Sequence, residues 1–242
     1  MVEFSIMTNP GGRDNNEDYV ISAKHGDGEC FVLCDGLGGH DCGEVASSTV
    51  ANIVADMFEE KGDYPDFLSD AFNIAQERLL ALQQEKGTRS AMKTTMVVLV
   101  ITDTTMKWAH IGDSRLYHIF NDNTKYERTK DHSMVQILCD MGEITEDEMR
   151  YHEERNKLLR VMGTEWTGKS FDLSAILERG EKHSFALMTD GFWEYVEEEE
   201  MLSLLNSTTS SKEWMESMAA LVLERADMSS TDNFSCICVK VD

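Results

Sequence analysis

The stretch 31–40, FVLCDGLGGH, joins an apolar run to a carboxylate and three glycines. Phe31-Val32-Leu33-Cys34 reads as a buried strand that stops at Asp35. Gly36, Gly38 and Gly39 let the backbone turn tightly and come close to an ion or a phosphate. A carboxylate at a strand end, beside bare backbone, is how hard cations are held by oxygen. Read alone, the stretch is equally a strand followed by an ordinary Asp-Gly turn. The pattern recurs, however. Asp190-Gly191 follows the run 185–188, Gly112-Asp113-Ser114 follows 108–111, and Asp232 precedes 234–241. Four aspartates at the ends of four strands point to one shared acidic centre.

Several carboxylates in one place cannot all ionise without positive charge between them. Oxygen donors suit Mg²⁺, Mn²⁺ or Ca²⁺ rather than the soft metals. Two such ions ~4 Å apart bridge a water, sharpen it as a nucleophile and clamp phosphoryl oxygens for in-line attack. Arg13 lies beside Glu17 and Asp18 in the polar run RDNNED. Its guanidinium fork suits phosphate oxygens, and the carboxylates suit a cation. The alternative for this run is a solvated hairpin loop. No serine or cysteine nucleophile is needed.

The surrounding elements must deliver these groups. Val2, Phe4 and Ile6 alternate with polar residues as a first strand, and 19–21 and 29–34 follow as strands. Residues 43–61 carry an apolar stripe at helical spacing, Val50, Val54 and Phe58 among it, closed by Gly62. Pro65 opens a second helix to about Lys86, which Gly87 ends. Segments 94–101, 107–111, 115–120 and 125–128 read as antiparallel strands joined by short turns. Residues 132–141 read as a short helix, 158–162 and 171–176 as strands, 211–225 as a helix and 234–241 as the last strand. The segment from Gly142 to Asn156, GEITEDEMRYHEERN, is dense in charge and poor in apolar residues. It reads as an exposed, mobile excursion, helical in part over 146–152. The acidic run 197–200 reads as solvated surface. With no internal repeat or linker, one domain over 1–242 is expected.

The chain has 242 residues, 41% of them hydrophobic, so a sizeable core is available. Lys and Arg number 22 against 45 Asp and Glu, a net charge of −23. Such a surface repels nucleic acid and anionic lipid, so neither is an expected partner. No apolar run approaches the roughly 20 residues that span a bilayer. Residues 1–20 carry Glu3, Arg13, Asp14, Glu17 and Asp18, so no signal peptide is expected. Cysteines at 30, 34, 42, 139, 236 and 238 form no CxxC pair and read as reduced core thiols of a cytoplasmic protein.

Taken in order, seven motifs carry a resemblance. They are Arg13 with Glu17-Asp18; the run 34–40 with Gly43-Glu44; Lys93-Thr94-Thr95; the run 110–117, HIGDSRLY; the run 129–133, TKDHS; Thr189-Asp190-Gly191; and Asp232-Asn233. This order resembles the metal-dependent type 2C (PPM) serine/threonine protein phosphatases over nearly the whole chain. The DGLGGH form and the compact length are similar to the bacterial branch. The resemblance implies an α+β fold: two antiparallel sheets packed as a sandwich, with helices on both outer faces, in four layers αββα. It implies that Asp35 bridges two Mn²⁺ or Mg²⁺ ions and that Gly36 offers its carbonyl to the first. Asp190 and Asp232 complete the second. Arg13 binds the substrate phosphate, Glu17 and Asp18 lie near the metals with Asp18 reaching a metal-bound water, and Asp113 holds a third, weaker ion. The segment 142–156 matches the family's flap. Phosphoserine and phosphothreonine proteins are the implied substrates, with a cognate Ser/Thr kinase as the opposing enzyme and a monomer as the expected state.

One position departs from many eukaryotic members, which have a histidine directly after Asp-Gly as the proposed acid for the leaving alcohol. Here it is Leu37, as in the bacterial branch. His40 reads as a structural loop residue, which leaves a water on the third ion as the candidate acid. Two other classes compete: a non-catalytic member kept as a binding module, which should have lost its metal aspartates, and another two-metal hydrolase such as a nuclease, which should carry a basic stripe.

Overall fold

The computed structural model describes residues 1–38, 42–88 and 91–242. Three strands come first: β1 (Val2–Asn9), β2 (Asp18–His25) and β3 (Gly28–Leu37). Helices α1 (Cys42–Lys61) and α2 (Phe67–Lys86) follow. Then come β4 (Lys93–Thr94), β5 (Met96–Ile101), β6 (Thr105–Ile111), β7 (Arg115–Phe120) and β8 (Lys125–Arg128). Short helices α3 (Met134–Asp140) and α4 (Glu146–Met149) precede β9 (Asp172–Leu173), β10 (Leu177–Glu178) and β11 (His183–Met188). The chain closes with α5 (Asp190–Trp193), α6 (Glu198–Ser207), α7 (Ser211–Arg225) and β12 (Phe234–Val241).

The strands form two antiparallel sheets. One runs β1-β12-β11-β7-β8; the other runs β10-β6-β5-β3-β2, with β4 on β3 and β9 on β6. Strand alternation sorts the core into layers. Along β3, Phe31 and Leu33 join Leu187, Ile237 and Val239 in the cluster between the sheets, while Cys30, Val32 and Cys34 face the other way. They pack there against Val50, Val54 and Phe58 of α1 and Phe72 of α2. Cys236 and Cys238 of β12 pack outward against Trp214, Met218 and Val222 of α7. The result is the expected α+β sandwich with helices on both outer faces.

Several boundaries differ from the sequence reading. β3 does not stop at Asp35; Gly36 and Leu37 continue it, paired to Thr94 and Lys93 of β4. Pro65 lies in the turn before α2, which begins at Phe67. β6 and β7 are consecutive but belong to different sheets, so the turn at 112–114 is a crossing between layers. Residues 158–162 form no strand; their β pairing is limited to isolated bridges, Ser133–Leu158 and Thr94–Met162. The expected strand 171–176 is reduced to β9, with β10 beyond it. The acidic run 197–200 begins α6, where a Glu197–Glu200 capping box holds the first turn. Cys42 and Cys139 are half-buried rather than core.

Candidate active site

Antiparallel register aims two carboxylates at one spot. Asp18 opens β2 and stands directly opposite Asp35 of β3. Asp35 shares a face with Leu33 and Phe31, and Asp18 with Val20, all residues of the layer between the sheets. The other sheet contributes Asp190, the first residue of α5 after β11, and Asp232, just before β12. Asp113 lies in the crossing turn between β6 and β7. Arg13, Glu17, Asp35, Gly36, Asp113, Asp190 and Asp232 line one cavity of about 580 Å³. Asn156 and Leu37 line it too. Asp18 sits behind that wall, 6% exposed, where the Thr189 hydroxyl donates to its Oδ2 at 3.0 Å. Gly142 does not reach the cavity; it is exposed in the turn after α3. Gly39 and His40 lie outside the described residues.

Backbone contacts hold this cluster. The Asp35 N–H donates to Thr95 Oγ1 at 2.9 Å. Its carbonyl accepts from Thr94 Oγ1 at 2.8 Å and from the Thr95 N–H at 2.9 Å. At Gly36 a Cβ would come within 2.4 Å of the Gly43 carbonyl and 2.6 Å of the Glu17 carbonyl, so only glycine lets these backbones close up. Asn233 clasps the 10–17 loop. Its amide donates to the Pro10 and Asn15 carbonyls, and its Oδ1 accepts from the Glu17 N–H at 2.7 Å. Sequence reasoning gave Thr94, Thr95 and Asn233 no role, because backbone-binding side chains leave no spacing signature.

The electrostatics are those of acids without bases. Burial, then the neighbouring Asp190 and Asp18, pushes the Asp35 carboxyl well above its usual range. Burial and Asp190 do the same to Asp113. Burial pushes Asp18 up to about 8, and burial with Asp232 pushes Asp190 up to about 6. Asp18 Oδ1 is buried with no hydrogen-bond partner among the described residues. Arg13 is the one basic side chain among the lining residues, and it pairs with Asp232 at 2.9 Å. An all-oxygen set of crowded, desolvated carboxylates fits divalent cations of the Mn²⁺ or Mg²⁺ kind, which would restore the missing positive charge.

The excursion beside the cavity is more firmly rooted than its composition suggests. A Thr145–Glu148 capping box shapes α4. Met149 is fully buried, and Arg150 is 7% exposed. Arg150 donates to the Trp193 carbonyl and to Glu198 Oε2, the latter at 2.7 Å. Arg155 Nε donates to Glu194 Oε1 at 3.0 Å. Burial and the nearby Asp190 push Glu194 up to about 7.

Residues 12–229 match the family model described as protein phosphatase 2C. Protein phosphatase PhpP of Streptococcus pneumoniae serotype 2 is 29% identical over 213 residues, 85% of each chain. Serine/threonine phosphatase Stp1 from Staphylococcus aureus superposes with a TM-score of 0.88 at 31% identity, over 100% of this chain and 96% of that one. The catalytic domain of the serine/threonine protein phosphatase PstP, solved in complex with two manganese ions, superposes with a TM-score of 0.83 at 26% identity, over 100% of this chain and 99% of that one. The chain therefore belongs to the protein phosphatase 2C family, as a metal-dependent serine/threonine phosphoprotein phosphatase of the bacterial branch.

Proposed function

We propose that the acidic cavity hydrolyses phosphoserine and phosphothreonine in proteins by direct attack of water, with no covalent intermediate on the chain. Bound there, two divalent cations, Mn²⁺ or Mg²⁺, would activate that water and neutralise the phosphoryl oxygens. Asp35 stands between the acids of both sheets, so it is the natural shared ligand, with the Gly36 carbonyl beside it. Asp190 and Asp232 serve the second ion, and Asp113 a third. Arg13 exchanges its contact with Asp232 for the substrate phosphate, a bidentate fit for a guanidinium. Asp18 acts from behind the ligands and Glu17 from the cavity wall beside them.

The observation that carries this reading is the convergence of carboxylates from two sheets, Asp113 buried and Asp35 and Asp190 half-buried, with no basic side chain but Arg13 among the lining residues. The reading extends to residues 1–242 as one phosphatase domain, monomeric and cytoplasmic, with 142–156 as a flap over the substrate and a Ser/Thr kinase as the enzyme it opposes. No helix among the described residues is long and apolar enough to cross a membrane. The test is release of phosphate from a phosphothreonine peptide. Turnover should need added Mn²⁺ or Mg²⁺ and vanish in excess EDTA. Full turnover in EDTA would sink the reading.

A further inference from the structure

Outside the cavity, His110, His132 and Asp172 bring one nitrogen or oxygen each within 4.8 Å of one another. β9 pairs Asp172 directly across from His110 of β6, and the two imidazoles stack at 4.6 Å. The spacing suits a transition metal, but the protons do not. A backbone N–H only donates, so the Gly112 N–H, 3.2 Å from His132 Nδ1, makes that nitrogen an acceptor. The neutral ring then carries its proton on Nε2 and donates it to Asp172 Oδ2 at 3.3 Å. His132 has no lone pair left for a metal. His110 Nε2, 2.8 Å from the Lys130 carbonyl, must likewise donate. Lys169 Nζ, 2.6 Å from Asp172 Oδ1, supplies the cation this carboxylate needs.

What the cluster does grip is the backbone on both sides of Gly112. The His132 N–H donates to the Gly112 carbonyl at 2.9 Å, so one residue holds both polar groups of Gly112. Gly112 has φ +104°, and a Cβ there would come within 2.5 Å of Thr95. The next residue is Asp113. Its carbonyl accepts from Trp193 Nε1 at 3.1 Å, and Ser114 Oγ meets Thr95 Oγ1 at 2.7 Å. Thr95 in turn holds the Asp35 N–H. The crossing turn is thus fixed on three sides, with His132 supplying the side away from the cavity.

We infer that His132, oriented by Asp172, is a positioning residue that locks Gly112 from both sides, its imidazole on the Ile111–Gly112 peptide and its backbone N–H on the Gly112–Asp113 peptide, and so presents the Asp113 carboxylate to the third-ion site. This rests on the reading of Asp113 given above. A hydrogen-bonded partner one step behind a ligand fixes its aim and thereby its affinity for the ion.

The test uses the full chain. Nitrogen-resolved NMR of the metal-free protein should show His132 protonated on Nε2 with Nδ1 bare; a proton on Nδ1 overturns the inference without any variant. His132→Phe keeps a ring but orphans the Gly112 N–H. His132→Asn puts an amide oxygen near the place of Nδ1. His132→Phe should speed exchange of the Gly112 amide about tenfold or more, the scale of a lost buried hydrogen bond. It should raise the Mn²⁺ concentration for half-maximal phosphopeptide turnover by a similar factor, with most of the rate returning at saturating Mn²⁺. His132→Asn should recover both. Unchanged Gly112 exchange in His132→Phe overturns the clamp. Asp113→Asn separates the remaining outcomes. If it shifts the Mn²⁺ dependence and His132→Phe does not, the positioning role fails alone. If neither shifts it, the reading of Asp113 fails and the inference with it.

Discussion

Two buried acidic regions sit in the same half of this molecule and behave in opposite ways. Asp18, Asp35, Asp113 and Asp190 crowd together with no ion pair to a basic side chain among the described residues, and burial raises each carboxyl. Asp131 and Glu198 are also buried or half-buried, but each meets arginine. Arg115 forks onto Asp131 at 2.9 and 2.8 Å and lies 3.4 Å over the Trp193 ring. Glu198 takes Arg150 at 2.7 Å and the Tyr117 hydroxyl at 2.9 Å, and its carboxyl is held below the usual range. The second region is complete within the chain. The first is complete only with an added cation. Burial of an acid does not by itself mark a site; burial of an acid without its base does.

The largest expected effect breaks the first region. Asp35→Asn should lower phosphopeptide turnover by about a thousandfold or more, since on the proposed reading one shared ligand would serve two charges. The same substitution should raise the melting temperature of the EDTA-treated protein, because it removes an uncompensated buried acid. A melting temperature that falls in EDTA would show that Asp35 already has a partner. The mirror experiment is Asp131→Ala. It strands the Arg115 guanidinium and should cost roughly 3–5 kcal/mol, with or without metal, read as a shifted urea midpoint. If Asp131→Ala unfolds no more easily than the parent, the paired region is not the structural one.

Legibility in the sequence follows the same division. The aspartates at strand ends, the glycines beside them and the long amphipathic helices were readable because each leaves a period or a breaker at a fixed place. The paired region was not. Asp131 and Arg115 appeared only inside family motifs, and Glu198 sat in a run read as solvated surface. Arg150 lay in a segment read as exposed. A salt bridge between residues 48 apart in the chain has no local signature. Asn233 escaped for a related reason: its work is done on the carbonyls of Pro10 and Asn15, which any residue would supply. The end of β3 was misplaced because Asp35 and Gly36 are poor strand formers held extended by tertiary contacts to Thr94 and Thr95.

A smaller effect tests a third kind of buried polar group, one kept neutral. Burial, then His183, holds His118 down to about 4, from an ordinary value of 6.5. Above pH 6.5 neither the folded nor the unfolded ring is charged. Between 6.5 and 4 the unfolded ring takes a proton that the folded ring refuses, so stability falls as pH falls, and the loss is complete below 4. The difference in urea stability between the parent and His118→Phe cancels the acids of the cavity. It should move against the parent by on the order of 2 kcal/mol from pH 7 to pH 4.5. A difference that stays flat across that range means the His118 pKa is not depressed.

The smallest effect sharpens the border between the two regions, where Arg13 pairs with Asp232 while both are half-exposed. Arg13→Ala should raise KM for a phosphopeptide about tenfold and leave the calorimetric affinity for Mn²⁺ near the parent's. Loss of metal binding at constant KM would make Arg13 a support for Asp232 rather than a phosphate ligand.

The β2–β3 hairpin has a consequence for which changes in the gene are survivable. Its register sets Asp18 opposite Asp35, and the turn that fixes this register lies between His25 and Gly28, where the pairing ends. Gly26 has φ +59°, which favours glycine despite the open space around it, whereas Asp27 beside it is exposed, so exchanges there are absorbed. A one-residue insertion or deletion there is different. If it shifts the ladder by one step, Asp35 turns from the gap between the sheets to the helix side, and Cys34 turns toward the cavity. The hairpin tip, far along the strands from the chemistry, is thus a frame-setting position: tolerant of new letters at Asp27, intolerant of a changed count.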